Sequence, residues 1–364
     1  MADLHSAVRD LIDNPVRQPK PFEALVRLAE VRRRRRRNTV AVTAAIVIIA
    51  ASVGGIVLDR GGATSTKVTV TGPPATSFRA SATLAAMIGG HLELLNPTTG
   101  QVERSIEVGD SGTGGLAINS TGETAYITLA VGAGCDTDII SVDLATGTER
   151  VVADNAASPA VSPDGRDLAY VAVQAAVAYC PPGNVEVTNL TDGATRSWNL
   201  TPQAPAGQVT GQVDGLSWSP DGTQLAVGTL LVANSGIRFL DVTEDLSPTN
   251  PTVLIADGHY TSPQYLPDGN LVVVSPFCGI DAASCPSPLP GSNISSIDTL
   301  NPRTGRVLSV IPSNFQLGNV IVDPSGRQLA ALAGGNLYRI DGQQLVLVKQ
   351  GVLAAAWVPT TPTG

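Results

Sequence analysis

Three aspartates in one recurring setting are the residues of this 364-residue chain whose type and spacing first suggest chemistry. Asp164, Asp221 and Asp268 each sit between a proline and a glycine after an apolar run, as in WSPDGTQLAVG from Trp218 to Gly228. Carboxylates converging on a cleft could serve as general acid and base or hold a cation. Pro-Asp-Gly is equally what a tight reversal between two strands requires: proline presets φ, aspartate bonds its own backbone, and glycine accepts positive φ. Recurrence decides for the turn, since residues a whole repeat apart are not expected to meet on one substrate.

The cysteines form a second group. Cys135, Cys180, Cys278 and Cys285 show no C-x-x-C spacing, and His5, His91 and His259 are scattered, so no metal-ligand set is expected. Disulfides suit them better. Of the three connectivities, the preferred one closes a small loop with Cys278 and Cys285 and joins Cys135 to Cys180 across neighbouring repeats. In the same segments, Asp136, Asp138, Tyr179 and Asp281 form a candidate rim for a cation or polar ligand, against the simpler reading of solvated loop side chains. Gly-x-Ser-x-Gly, His-Glu-x-x-His and phosphate-loop motifs are lacking. The expectation is a protein without catalysis or cofactor.

Charge divides the chain. Residues 1–38 hold ten Lys/Arg against five Asp/Glu, whereas residues 39–364 hold thirteen against twenty-six. Between them runs TVAVTAAIVIIAASVGGIVL, Thr39 to Leu58, with no charge. Twenty helical residues at about 1.5 Å each match the roughly 30 Å core of a bilayer. Arg32, Arg33, Arg34, Arg35, Arg36 and Arg37 directly precede it, and by the positive-inside bias they place the N-terminus in the cytoplasm and the rest outside. A cleaved signal peptide is the competing reading, but its apolar part is usually shorter and no small-residue cleavage box follows Leu58. The expected localisation is therefore a single-pass cell-membrane protein with its large domain extracytoplasmic, where disulfides persist. The acidic outer part argues against nucleic acid as a partner.

Two apolar stretches at helical spacing precede the arginines, Leu4 to Ile12 and Phe22 to Ala29, each too short to be stable alone. Residues 59–79, rich in Gly, Ser, Thr and Pro, read as a flexible linker. From residue 80 onward one plan recurs: apolar strand, Gly turn, apolar strand. The turn glycines Gly122, Gly165, Gly222, Gly269 and Gly326 are spaced 43, 57, 47 and 57 residues apart. A second strand pair follows each, as in IISVDLATGTERVVA from Ile139 to Ala153. Four strands per repeat of this length make a propeller blade. GVLAAAWVP, Gly351 to Pro359, repeats the form of a first strand and then stops, while Leu84 to Val108 supplies three strands without a first. Together they complete a sixth blade. The fold class is all-β, a six-bladed propeller over 80–359 with a short tail at 360–364.

The WSPDGTQLA of Trp218 to Ala226 and the VSPDGRDLA of Val161 to Ala169 resemble the WD-repeat-like blade motif of TolB-type six-bladed propellers. The first repeat, at Asn119-Ser-Thr-Gly, and the last, at Asp323-Pro-Ser-Gly, depart from it. The resemblance implies the fold and a binding role for an envelope protein or peptide, on the varied loop face or in the central funnel. The tip, with PFEALVRLAE and six arginines before the anchor, is similar to the N-termini of bacterial anti-sigma-like membrane proteins, although the zinc-type His-x3-Cys-x2-Cys is missing. That likeness implies an alternative, a transmembrane regulator that holds a cytoplasmic sigma factor and senses through the propeller. A lactonase-like enzyme is the third reading; the small, apolar first strands speak against it.

Overall fold

The computed structural model describes residues 70–71, 83–109, 115–131, 136–173, 184–198, 212–230, 236–243, 252–255, 260–276 and 295–359. The expected tip at 1–38 and span at 39–58 lie outside the described residues. Blade 1 holds β1 (Val70–Thr71), β2 (Thr83–Ile88), β3 (His91–Leu95) and β4 (Val102–Glu107). Blade 2 holds β5 (Leu116–Ile118), β6 (Thr124–Ala130), β7 (Thr137–Asp143) and β8 (Glu149–Ala153). Blade 3 holds β9 (Ala156–Val161), β10 (Asp167–Ala172), β11 (Val185–Asn189) and β12 (Thr195–Trp198). Blade 4 holds β13 (Gln212–Trp218), β14 (Gln224–Leu230), β15 (Gly236–Asp241) and β16 (Thr252–Ile255). Blade 5 holds β17 (Thr261–Tyr265), β18 (Leu271–Pro276), β19 (Ser295–Leu300) and β20 (Val307–Ser313). Blade 6 holds β21 (Leu317–Val322), β22 (Leu329–Ala333), β23 (Asn336–Asp341) and β24 (Gln344–Gln350). The last strand, β25 (Ala354–Val358), returns to blade 1.

The ring closes where the repeat pattern requires. β25 pairs antiparallel with β2, Leu84 opposite Trp357 and Ala86 opposite Ala355, and is the innermost strand of blade 1. On the outer edge of the same blade β1, inside the stretch read as a linker, pairs with β4 through Val70 and Ile106.

In blades 2, 3, 4 and 6 the first turn is built by a side-chain acceptor at its first position. Ser219 Oγ accepts from the Gln224 amide at 2.9 Å and donates to Asp221 Oδ1 at 2.6 Å, with Gly222 at φ 70°. Ser162, Asp164 and Gly165 repeat this geometry in blade 3. The two departures from the motif do the same work. Asn119 Oδ1 accepts from the amides of Glu123 and Thr124, and Asp323 Oδ1 from that of Gln328. The third-to-fourth strand turns also share a device: Asn96, Asp143, Asn189 and Asn301 each accept two amide protons two and three residues on. Each such turn ends in a glycine of positive φ, Gly100, Gly147, Gly193 and Gly305.

Strand residues alternate between faces, and in second strands such as β14 both faces are buried, so these strands feed two interfaces. Leu225 and Val227 pack toward Val185 and Val187 of blade 3, while Ala226 packs toward Leu271 and Val273 of blade 5. Six such clusters fill the six blade contacts. Polar struts cross the same contacts. Trp218 Nε1 donates to the Ala160 carbonyl at 3.0 Å, Arg196 donates to the Val242 carbonyl, and Lys349 of blade 6 pairs with Glu93 of blade 1 at 3.1 Å.

Candidate functional site

The contact between blades 4 and 5 opens, on the face of the Asp-Gly turns, into a cleft of about 700 Å³. One wall is the β13–β14 turn with Asp221, the other the β17–β18 turn with Asp268 and the β19–β20 turn with Arg303; Phe239, Asp241 and Tyr265 lie between. Strand direction explains the placement. Every first strand runs toward this face, so the ends of β13 and β17 and the start of each turn project to its rim.

The aspartates keep the turn role expected of them. Asp221 accepts from Ser219 Oγ, from the Thr223 amide at 3.1 Å and from Thr223 Oγ1 at 2.9 Å. The Ser219 bond foremost, then those from Thr223, hold its carboxyl below the usual range. Asp268 accepts from the Asn270 amide at 2.9 Å and Asn270 Nδ2 at 2.8 Å, and Asp241 from Thr243. The expectation that the turn aspartates stay apart needs correcting for one pair. Asp221 and Asp268, 47 positions apart, border the same cleft because their blades are neighbours in the ring.

Beneath them lies Tyr265, with Phe239 at 6.4 Å between ring centroids. Its hydroxyl oxygen is shut off from solvent and has no hydrogen-bond partner. Burial, and after it the charge of Asp221, push this phenol up to about 12, so it is a donor and not a base at neutral pH. Among the described residues no histidine and no cysteine lines the cleft. Three carboxylates and an aromatic floor suit recognition of a cationic group, while the Tyr265 donor calls for a separate acceptor such as a peptide carbonyl.

The rim expected on the opposite face is described only in part. Asp138 Oδ1 accepts from the Asn155 amide at 2.9 Å and so ties β7 to the start of β9, and the Asp136 carbonyl accepts from the Val131 amide at 2.9 Å. Tyr179, Asp281, all four cysteines and Arg32 to Arg37 lie outside the described residues. Among the described residues no three His, Cys, Asp or Glu side chains are grouped as metal ligands.

Polar residues on the first strands were not anticipated. Asp214 on β13, Ser262 on β17 and Asn319 on β21 form a hydrogen-bonded line near the ends of these strands away from the Asp-Gly turns. Asp214 and Ser262 stand one residue ahead of the repeats as the motif delimits them, at Gly215 and Pro263, whereas Asn319 opens the last one. Seven residues before the turn glycines stand Gly115, Ser158, Gly215, Ser262 and Asn319, a small or polar set that is visible once the repeats are aligned.

No family model and no curated protein matches the chain. Among solved structures, TolB from Acinetobacter baumannii superposes with TM-score 0.55 at 17% identity, over 77% of this chain and 67% of that one. The nidogen/laminin complex gives TM-score 0.54 at 14% identity, over 77% of this chain and the whole of that one. At such identities the likeness is one of fold. It agrees with the propeller class read from the blade motif.

Proposed function

We propose that this protein is a non-catalytic binding module, held at the outer face of a cell membrane by residues 39–58, whose propeller takes a basic segment of a protein or peptide partner in the cleft between blades 4 and 5. The observation that carries this reading is the pairing of three rim carboxylates with the enclosed, unpartnered Tyr265 hydroxyl. A buried donor without an acceptor is costly by roughly 1–3 kcal/mol, and a backbone carbonyl of the partner segment, met when the enclosed Tyr265 hydroxyl turns toward the cleft, recovers that cost on binding. Among the described residues the cleft lining offers no histidine or cysteine as base or nucleophile, which favours binding over reaction.

The test is affinity purification of the full chain from its native membrane, beside Asp221→Asn/Asp268→Asn and beside a form lacking residues 1–31. A partner captured by the full chain and the truncated form but lost from the double variant supports the cleft. An unchanged partner set in the double variant removes the cleft from consideration. The apolar helical stretches of the tip favour a second reading, regulation of a sigma factor. It predicts a cytoplasmic partner that disappears only on removal of residues 1–31.

A further inference from the structure

The contacts of blade 2 with blade 3 and of blade 4 with blade 5 are two versions of one joint. In each, a Ser-Pro step of the later blade, Ser158-Pro159 or Ser262-Pro263, lies against a glycine of the earlier one, Gly115 or Gly215. Both serines have left-handed backbone, φ 55° and 54°, unusual for a residue before proline. That conformation turns the serine amide toward the earlier blade, where it needs an acceptor. Between blades 2 and 3 the acceptor is a neutral hydroxyl, Thr128 Oγ1, at 3.2 Å from Ser158 N.

Between blades 4 and 5 the residue in the place of Thr128 is Gly228. Gly215 pairs with Gly228 as Gly115 does with Thr128. The side chain missing there is replaced from the bulge in β13. Asp214 folds its carboxylate over Gly228, where a Cβ would collide with Oδ1, and Oδ2 accepts from the Ser262 amide at 3.2 Å. Ser262 Oγ in turn donates to Asn319 Oδ1 of blade 6 at 2.5 Å. Asp214 is partly exposed as a residue, yet its Oδ1 is enclosed and unpartnered.

We propose that the seam between blades 4 and 5 is a pH-sensitive latch: Asp214 in its protonated form holds Ser262, and through it Asn319, in a closed line, and ionisation of Asp214 loosens that line while the Thr128 joint is indifferent to pH. The reason is the cost of the enclosed oxygen. A neutral acid tolerates the slot, whereas a carboxylate with one unpartnered oxygen requires water, which reaches it only if the blades part. Burial pushes Asp214 up to about 7, outweighing the lowering by the Ser262 amide and its own backbone. No compensating charge is near among the described residues. β9, β14, β17 and β21 carry no Asp, Glu, Lys, Arg or His, and Tyr265 stands at the far end of β17. On β15, Arg238 lies opposite Val227 on the side of blade 3, and Asp241 lies at the far end opposite Gln224.

The proposal is independent of what the cleft binds, and its test reads the joint itself. Hydrogen exchange of the full chain in detergent, corrected for the intrinsic rate at each pH, is followed over 261–265 and over 156–161. From pH 5.5 to pH 8 protection of 261–265 is expected to fall roughly tenfold, the scale set by a carboxyl whose pKa is raised by burial, while 156–161 stays level. Asp214→Asn and Asp214→Ala are both expected to abolish the response; if the first does not fold, the second still decides. Equal behaviour of the two segments in the wild type, or a response that survives in either variant, overturns the latch.

Discussion

Tyr265 and Asp214 each carry a visible cost to the fold, an enclosed oxygen without a hydrogen-bond partner. Tyr265→Phe removes an enclosed hydroxyl that bonds to nothing, so the variant is expected to be as stable as the wild type or more stable by up to about 1 kcal/mol in a denaturant titration. If the cleft reading is right, the same variant loses affinity for the partner, and the opposite signs separate a binding role from a packing role. Asp214 makes a prediction about global stability. Its folded-state pKa is raised above the ordinary carboxyl value, so its contribution is fully present below about pH 4 and lost as pH rises through about 7. The difference in melting temperature between Asp214→Asn and the wild type should thus be small near pH 4 and grow in favour of the variant toward pH 8. A constant difference would show that Asp214 stays charged or stays solvated throughout.

At the scale of the element, the hairpin turns are where sequence and structure agree most closely. Gly222 and Gly122 occupy the same turn position at φ 70° and 72°, but a Cβ on Gly222 would meet nothing nearer than Pro163 Cδ at 3.8 Å, whereas one on Gly122 would press on the Pro359 carbonyl. Gly222→Ala should cost about 1 kcal/mol for its backbone alone. Gly122→Ala should cost distinctly more, because it also pushes on the strand that closes the ring; equal losses in chemical denaturation would mean that Pro359 yields freely. These turns were legible in sequence because their chemistry is local: the acceptor, the glycine and the amides lie within about six residues. The second turn, with Asn or Asp four residues before Gly at Asn96, Asp143, Asn189 and Asn301, is equally present in the sequence but less distinctive, since proline follows only Asn96 and Asn301.

For the whole molecule the decisive contact is β25 against β2, which joins the chain's last described strand to the first blade and buries Trp357 among Leu84, Leu95 and Ile321. A chain ending at residue 350 should lose cooperative unfolding and expose the inner edge of blade 1; a single sharp transition at the wild-type temperature would show that the ring needs no such clasp. Composition, the period of the turn glycines and the matching half-blades at the two ends were sufficient to read an all-β six-bladed propeller with this closure. The strands and turns are set by residues two to six apart, and the period and the matching ends are repetitions of such local patterns along the chain. The cleft and the latch were not readable in the same way. Asp221 and Asp268 meet one cavity, and Asp214 finds Ser262 and Asn319, only because blades pack side by side around a ring, bringing residues some 50 positions apart to one seam. Gly228 and Asp214 show the limit most plainly: a missing side chain at one position is filled from another strand, and only the packed joint decides which atom takes the vacant place.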